Sequence, residues 1–249
     1  MMYTVSCSTE SCTNTVSKYK SHIIRYKNIF CKDCATVGAP KKYSINDNYF
    51  STLNTQNCQW AGYIAADGCI TNNGTVVKLG CKTDDLEILE ALKSDIQATN
   101  PISKGHTTLS NGKTYYSWNM VFRSESIIND LNNKFGICQR KSLTLQPPKL
   151  KGIDQNLAFM VGLINGDGSI YRPARSGILS FNVTGTLEIC NWCRVLYSQF
   201  YTLDSTKHIY KNGDKVFSFT VSNLTVNPFL KILLSLDCYF LPRKWDKVL

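Results

Sequence analysis

The feature that most constrains this fold is a short peptide that occurs twice. The copies, one hundred residues apart, are WAGYIAADG at 60–68 and MVGLINGDG at 160–168. Small residues recur four positions apart in each, as Gly62 and Ala66 and again as Gly162 and Gly166, so they share one helical face. Glycine inside a helix costs about 0.5 to 1 kcal/mol relative to alanine, so this face needs a partner. We predict two helices packed backbone to backbone.

Each copy closes on an aspartate, Asp67 or Asp167, at the final turn of its helix. A carboxylate there is at the unfavourable end of the helix dipole. Close packing of the helices brings the two carboxylates together, and they repel unless a cation lies nearby. Oxygen ligands suit Mg²⁺. A single aspartate-glycine after an apolar run is most often only a turn, and it is the duplication that favours a functional site.

Other features repeat at nearly the same offset. Asn111-Gly112 and Asn212-Gly213 are hairpin signals 101 residues apart. Gln139-Arg140-Lys141 and Pro242-Arg243-Lys244 lie 103 residues apart, near the end of each half. Two tandem copies of one fold explain all three pairs.

Both halves contain the same predicted order of elements, αββαββα, which gives an α+β fold with two antiparallel sheets. A linker is predicted around Pro147-Pro148, and Asp154 is expected to cap the second repeated helix. The predicted domains are a basic module at 1–44, a first repeat at 45–146, a linker at 147–153 and a second repeat at 154–249.

Alternation along the strands indicates which face each sheet leaves open. In YYSWNMVFR, Tyr116, Trp118, Met120 and Phe122 are predicted to point inward. The opposite, polar face has the width and the donors to read bases in the major groove. Any half-exposed sheet has a polar face, so this pattern indicates DNA binding only in combination with the net positive charge of the chain. The candidate DNA contacts are Lys78, Lys82, Ser117, Asn119, Arg123, Arg172, Arg175, Ser180, Asn182, Thr184, Lys211, Ser218 and Thr220.

Composition favours a polyanionic partner. The chain has 249 residues, 43% of them hydrophobic, with a formal net charge of +10 and a pI near 9.0. The sequence has no apolar run of membrane-spanning length, and MMYTVSCSTE lacks the parts of a signal peptide. We therefore expect an intracellular protein, in the cytoplasm or in the organelle that holds its target genome.

Four of the eleven cysteines come before the repeats. Cys7, Cys12, Cys31 and Cys34 form C-x4-C-x18-C-x2-C, which predicts a structural Zn²⁺ site of four thiolates. Residues 1 to 45 contain seven Lys or Arg against two acidic residues, and a module this small needs a metal or another cross-link to fold. The basic module is expected to add contacts with DNA phosphates. Two alternatives stay open: His22 replaces one thiolate, or the module is a cap packed on the first repeat.

The other cysteines, including the C-x2-C of Cys190 and Cys193, are interpreted as core packing. The remaining five are scattered singly through the repeats, and all are expected to be small buried hydrophobic residues. They are Cys58, Cys69, Cys81, Cys138 and Cys238.

The doubled motif resembles the signature of the LAGLIDADG homing endonucleases, and the resemblance covers about residues 45 to 249. It implies a single-chain pseudo-dimer, active as a monomer, whose sheets form a saddle over a long double-stranded DNA target. It also implies Mg²⁺ bound by Asp67 and Asp167 with the main chain of Ala66 and Gly166, with Mn²⁺ or Ca²⁺ able to replace it for binding. A basic residue near the end of each half assists in that family, which matches Lys141 and Lys244.

This sequence departs from the family pattern at two places. The first acidic position of the motif is Ala65 in one copy and Asn165 in the other. A polar residue at the end of the second strand is matched by Lys82 in the first half, but only by Thr184 or Gly185 in the second, so unequal strand cleavage is expected. A site-specific DNA endonuclease is the preferred function. A silent DNA-binding regulator and an RNA maturase are the alternatives.

Overall fold

A computed structural model describes residues 1–249 except 38–42, 72–73, 175, 204–207 and 249. The chain divides into two compact units, Met1–Tyr43 and Ser44–Leu249. In the described part of the chain, the helices all fall short of the length and hydrophobicity needed to cross a bilayer.

The N-terminal unit is small, and the residues that the structure describes in it form almost no apolar core. Its elements are a hairpin of β1 (Met2–Ser6) and β2 (Thr15–Tyr19), then the short helices α1 (Lys20–Arg25) and α2 (Lys32–Val37). The buried hydrophobic residues among its described positions are Cys7, Ile29 and Cys31. Because two of these three are cysteines, thiol side chains make up most of the buried centre of this unit.

The second unit contains the predicted αββαββα order twice. The first half consists of α3 (Thr55–Asp67), β3 (Gly68–Thr71), β4 (Val76–Lys82), α4 (Leu86–Asp95), β5 (Ile102–Thr108), β6 (Thr114–Phe122) and α5 (Glu125–Phe135). The second half consists of α6 (Ile153–Asn165), β7 (Ser169–Tyr171), β8 (Ser180–Gly185), α7 (Leu187–Ser198), β9 (Ile209–Lys211), β10 (Phe217–Ser222) and α8 (Val226–Leu234), followed by α9 (Pro242–Trp245). Both sheets are antiparallel, with strand orders β3-β4-β6-β5 and β7-β8-β10-β9. The matching topology confirms the predicted duplication.

Local sequence explains where several elements begin and end. Asn54 caps α3 by accepting from the Asn57 N–H at 2.8 Å. Gly136 ends α5 with φ of +67°, which glycine adopts readily. The prediction for Asp154 was wrong: Gly152 is the N-cap of α6, and its N–H donates to Gln155 Oε1 at 3.2 Å.

The glycine faces of α3 and α6 meet as predicted. A Cβ on Gly162 would overlap the Gln59 carbonyl oxygen and lie 2.5 Å from the Tyr63 backbone nitrogen. A Cβ on Gly62 would lie 2.9 Å from the Phe159 carbonyl carbon. The two backbones are therefore in van der Waals contact, and there is no room for a side chain between them.

The core lies between these helices and the inner faces of the sheets. Met120, Phe122 and Phe181 are buried there as the strand alternation predicts. Tyr116 contradicts that prediction, since it is 63% exposed near the hairpin end of β6, where the first three residues of the strand are all exposed.

Most cysteine predictions hold in the second unit. Cys58, Cys190 and Cys193 are buried, and Cys81 and Cys238 are half-buried. Cys69 and Cys138 are exposed, so the prediction that every single cysteine packs in the core was wrong for these two.

Candidate active site

The two motif aspartates lie at one end of the helix pair. Asp67 is the last residue of α3, and Asp167 follows α6 by two residues. A Cβ on Gly166 would be 3.4 Å from the Asp67 carboxylate, and both aspartates line one cavity. The prediction that the close-packed helices bring these groups together therefore agrees with the structure.

Both carboxylates remain exposed because the cavity opens to solvent above them. Protein atoms nevertheless crowd the base of Asp67. This desolvation raises the pKa of Asp67 to about 6, and repulsion by the Asp167 carboxylate adds to the increase.

Two buried lysines lie under the aspartates. Lys141 Nζ donates to the carbonyl oxygens of Ala65 and Ala66, the latter at 3.1 Å. Lys244 Nζ donates to the carbonyls of Ile164, Gly166 and Gly168, at 2.9 Å for the first and 2.8 Å for the last. Each ammonium therefore satisfies free carbonyls at the C-terminal end of a motif helix.

Burial changes the protonation balance of these lysines. Desolvation lowers the pKa of Lys141, and it lowers that of Lys244 to about 8, while the nearby aspartates oppose both changes. Two ammoniums beside two carboxylates balance the local charge. The protein itself therefore supplies part of the positive charge that compensates the two carboxylates, so a cation is not the sole source of that charge.

The donor set still fits Mg²⁺. Its protein ligands would be the carboxylates of Asp67 and Asp167, which are exposed oxygen donors in an open cavity. The predicted main-chain ligands, Ala66 and Gly166, already accept from the two lysines. A carbonyl oxygen has two lone pairs, so this contact leaves one for a cation.

Two cavities adjoin the aspartate pair. The wide cavity, of about 890 Å³, is lined by residues that include Tyr63, Asp67, Lys82, Asp167, Lys244 and Lys247. The narrow cavity, of about 180 Å³, is lined by residues that include Ala66, Lys141, Leu145, Leu163, Asp167 and Thr186. Arg243 and Lys247 of the wide cavity were not selected from the sequence, although Arg243 is in the repeated basic pair.

A C-terminal strap, defined here as residues 239–245, holds Lys244 in place through Asn165. The Asn165 side chain, which is 2% exposed, donates to Tyr239 O at 2.8 Å and accepts from the Trp245 indole at 2.8 Å and the Leu241 N–H at 3.3 Å. Arg243 also pairs with Asp85 at 2.8 and 2.7 Å. Asn165 stands at the first acidic motif position, where it anchors the strap.

Replacing Asn165 with alanine is expected to destabilise the protein by about 2 to 4 kcal/mol, because three buried groups lose their partner. Chemical denaturation followed by circular dichroism measures this. Asn133→Ala, on the exposed side of α5, is the control and is expected to change stability by less than about 0.5 kcal/mol. Equal stability of the two variants would contradict the anchoring role.

The candidate DNA contacts fall into three groups. Five are exposed, namely Lys78, Lys82, Arg123, Arg172 and Lys211; five are half-buried, namely Ser117, Asn119, Asn182, Thr184 and Thr220. Arg175 lies outside the described residues. The predictions that Ser180 and Ser218 contact DNA were wrong. Ser180 is fully buried and donates to Ser222 Oγ at 2.6 Å. Ser218 is buried and accepts from the Asn212 side chain.

The N-terminal unit brings its four predicted cysteines together. Their sulfur atoms all lie within 4.8 Å of one another. The Cys31 N–H donates to Cys7 Sγ at 3.3 Å, and this contact is the main reason that the pKa of Cys7 is lowered to about 6. His22 is not in this group and instead contacts the Tyr26 ring in a tilted arrangement, with ring centroids 4.4 Å apart. The cluster has the donor set of a four-thiolate metal site.

Comparisons with known proteins bear on the fold. No protein-family model matches the chain, and no curated protein sequence does. The structure is similar to the homing endonuclease I-WcaI bound to its DNA recognition sequence, with a TM-score of 0.56 and 13% identity over 86% of this chain and 96% of that one.

Two further similar structures have lower scores. The N-terminal LAGLIDADG domain of DUF199/WhiA has a TM-score of 0.49 and 12% identity over 88% of this chain and 93% of that one. The LAGLIDADG homing endonuclease I-GzeII in complex with its DNA target has a TM-score of 0.46 and 14% identity over 79% and 88%. The predicted fold is confirmed, and this chain has the fold of the LAGLIDADG homing endonucleases.

Proposed function

We propose that this chain is a site-specific double-strand DNA endonuclease that hydrolyses phosphodiester bonds on both strands of a long asymmetric target. The observation that carries this proposal is the pair of aspartates at the ends of two glycine-packed helices, in a cavity lined by cationic side chains. The net charge of +10 favours the same polyanionic partner.

Each group in the cavity has a role in the proposed reaction. Asp67 and Asp167 hold Mg²⁺, and Mn²⁺ or Ca²⁺ can replace it for binding. When bound, the ion stabilises negative charge on the phosphate and activates water. Lys141 and Lys244 keep the ends of the motif helices in position and add positive charge beneath the phosphate.

The two sheets supply the DNA-binding surface in this proposal. Lysines and arginines at strand ends contact phosphates, which sets the position of the duplex. The half-buried Asn119 and Asn182 lie along β6 and β8 and are candidates for base contacts in the major groove. The protein acts as a monomer, with repeats at 45–146 and 154–249 joined by the linker at 147–153.

A randomised duplex library incubated with the purified protein and Mg²⁺ tests this function. We expect one group of related sites cut on both strands, with no cutting in EDTA. Tight duplex binding without cutting would overturn the nuclease in favour of a regulator. A preference for structured RNA over duplex DNA would overturn it in favour of a maturase.

We further propose that Cys7, Cys12, Cys31 and Cys34 bind a structural Zn²⁺ and that residues 1–44 form a separate module. The unit has little else to hold it together, since its buried described residues are two of these cysteines and Ile29.

Removing this metal is expected to unfold the N-terminal unit alone. Elemental analysis is expected to give about one zinc per chain, and Cys31→Ser is expected to lose it. Hydrogen exchange then measures protection in both units, with Cys193→Ser, a buried core cysteine, as the control that keeps its zinc. A metal-free chain in which residues 1–37 stay protected would overturn the zinc site.

A further inference from the structure

The two sides of the aspartate pair differ in size although the halves share one topology. Each cavity lies beside the N-terminus of an equivalent helix, α4 for the wide cavity and α7 for the narrow one. Asp167 lines both cavities, whereas Asp67 lines the wide one. The volumes, about 890 and 180 Å³, differ by more than fourfold.

A different hydrogen bond is formed at the helix N-terminus beside each cavity. The N-cap of α4, Asp85, is bonded to the long side chain of Arg243 on the strap. The N-cap of α7, Thr186, donates directly to the Leu145 carbonyl at 2.7 Å. The second contact joins α7 directly to the backbone of residues 141–145. Leu145 lines the narrow cavity and is 6% exposed.

The chemical groups on the two sides also differ. The fourth motif position is Tyr63 on the wide side and Leu163 on the narrow side. Tyr63 is 1% exposed, and its hydroxyl has no hydrogen-bond partner among the residues the structure describes. A buried hydroxyl without a partner is costly, which points to a ligand that completes it.

We propose, building on the nuclease function above, that the Tyr63 hydroxyl positions the phosphate or the attacking water in the wide cavity, so that the strand entering this cavity is cut before the other. The wide cavity admits a phosphate group and its water directly. In the narrow cavity, Leu145 must move before the second phosphate can enter.

The chemistry of both cuts is the same. A water oxygen forms a bond to phosphorus, the bond from phosphorus to the 3′ oxygen breaks, and that oxygen takes up a proton. The products are a 5′ phosphate and a 3′ hydroxyl. The order of cutting therefore reflects access and positioning on the two sides.

The test uses the full chain and a target recovered from the duplex library, with a different label on each strand. Single-turnover reactions in Mg²⁺ are expected to give a nicked intermediate, with one strand cut at least about fivefold faster than the other. Equal rates without a nicked intermediate would overturn the proposal and leave the nuclease function intact. Failure to cut any duplex would instead overturn the nuclease function.

Tyr63→Phe separates a positioning role from a structural one. The variant is expected to slow the first-cut strand by about five- to tenfold, as for one lost hydrogen bond. Target affinity in Ca²⁺ and the melting temperature are expected to stay unchanged or rise, because a buried unpaired hydroxyl has been removed. Tyr49→Phe is the matched control, since the Tyr49 hydroxyl is also buried without a described partner but lies outside both cavities.

Leu145→Ala tests the narrow side. Removing this side chain is expected to speed the slower strand and bring the two rates to within about twofold. Leu131→Ala, a buried leucine of α5 outside both cavities, is the control for lost packing and is expected to keep the wild-type ratio. An unchanged rate of the first cut in Tyr63→Phe, or an unchanged ratio in Leu145→Ala, would overturn the proposal.

Discussion

Asp67→Asn and Asp167→Asn are each expected to reduce DNA hydrolysis by at least about 1000-fold, because each removes a carboxylate that holds Mg²⁺. Such a loss corresponds to about 4 kcal/mol of transition-state stabilisation. Single-turnover cleavage of a labelled target measures it. Duplex affinity in Ca²⁺, measured in parallel, is expected to fall far less, because phosphate contacts along the sheets supply most of the binding.

Folding should not account for that loss. Asp67 is crowded by protein atoms and repelled by Asp167, so the neutral amide is expected to leave the melting temperature unchanged or higher in metal-free buffer. Asp84→Asn is the matched control, because Asp84 lines the wide cavity without lying at the end of a motif helix. It is expected to change the rate by less than about threefold. Normal cleavage by Asp67→Asn would contradict the proposed metal site.

Gly162→Ala is expected to destabilise the second unit by about 3 kcal/mol, because the added methyl group forces two packed backbones apart. The new Cβ would lie 2.5 Å from the Tyr63 nitrogen and 2.7 Å from the Gly62 carbonyl carbon, both backbone atoms that cannot rotate away. For a unit of this length, the melting temperature is expected to fall by about 6 to 12 °C. Thermal unfolding followed by circular dichroism measures the shift.

Gly213→Ala is the control for this substitution. Its nearest neighbour would be Val216 Cβ at 3.9 Å, so the methyl group meets no obstruction. The expected change in stability is within about 0.5 kcal/mol. Indistinguishable melting of Gly162→Ala and Gly213→Ala would show that the helices are not held together by contact at the glycines.

Secondary structure was predictable because its determinants are local. Helix periodicity, the asparagine-glycine turns and the repeated motif define each half without reference to the other. The cysteine spacing likewise predicted a cluster, since four close ligands in one small unit have few ways to be arranged. Errors came where burial depends on neighbouring elements, as at Ser180 and Ser218, which are covered on the face that alternation marks as open.

The sequence by itself determined the duplicated topology, the contact between the two glycine faces and the meeting of the aspartates. These follow from side-chain size and helix geometry, which are local and repeat in each copy. Only the tertiary structure decided that Lys141 and Lys244 bind the ends of the motif helices, that Asn165 anchors the strap, and that the two cavities are unequal. Those outcomes depend on contacts between residues 40 to 80 positions apart, which no local pattern specifies.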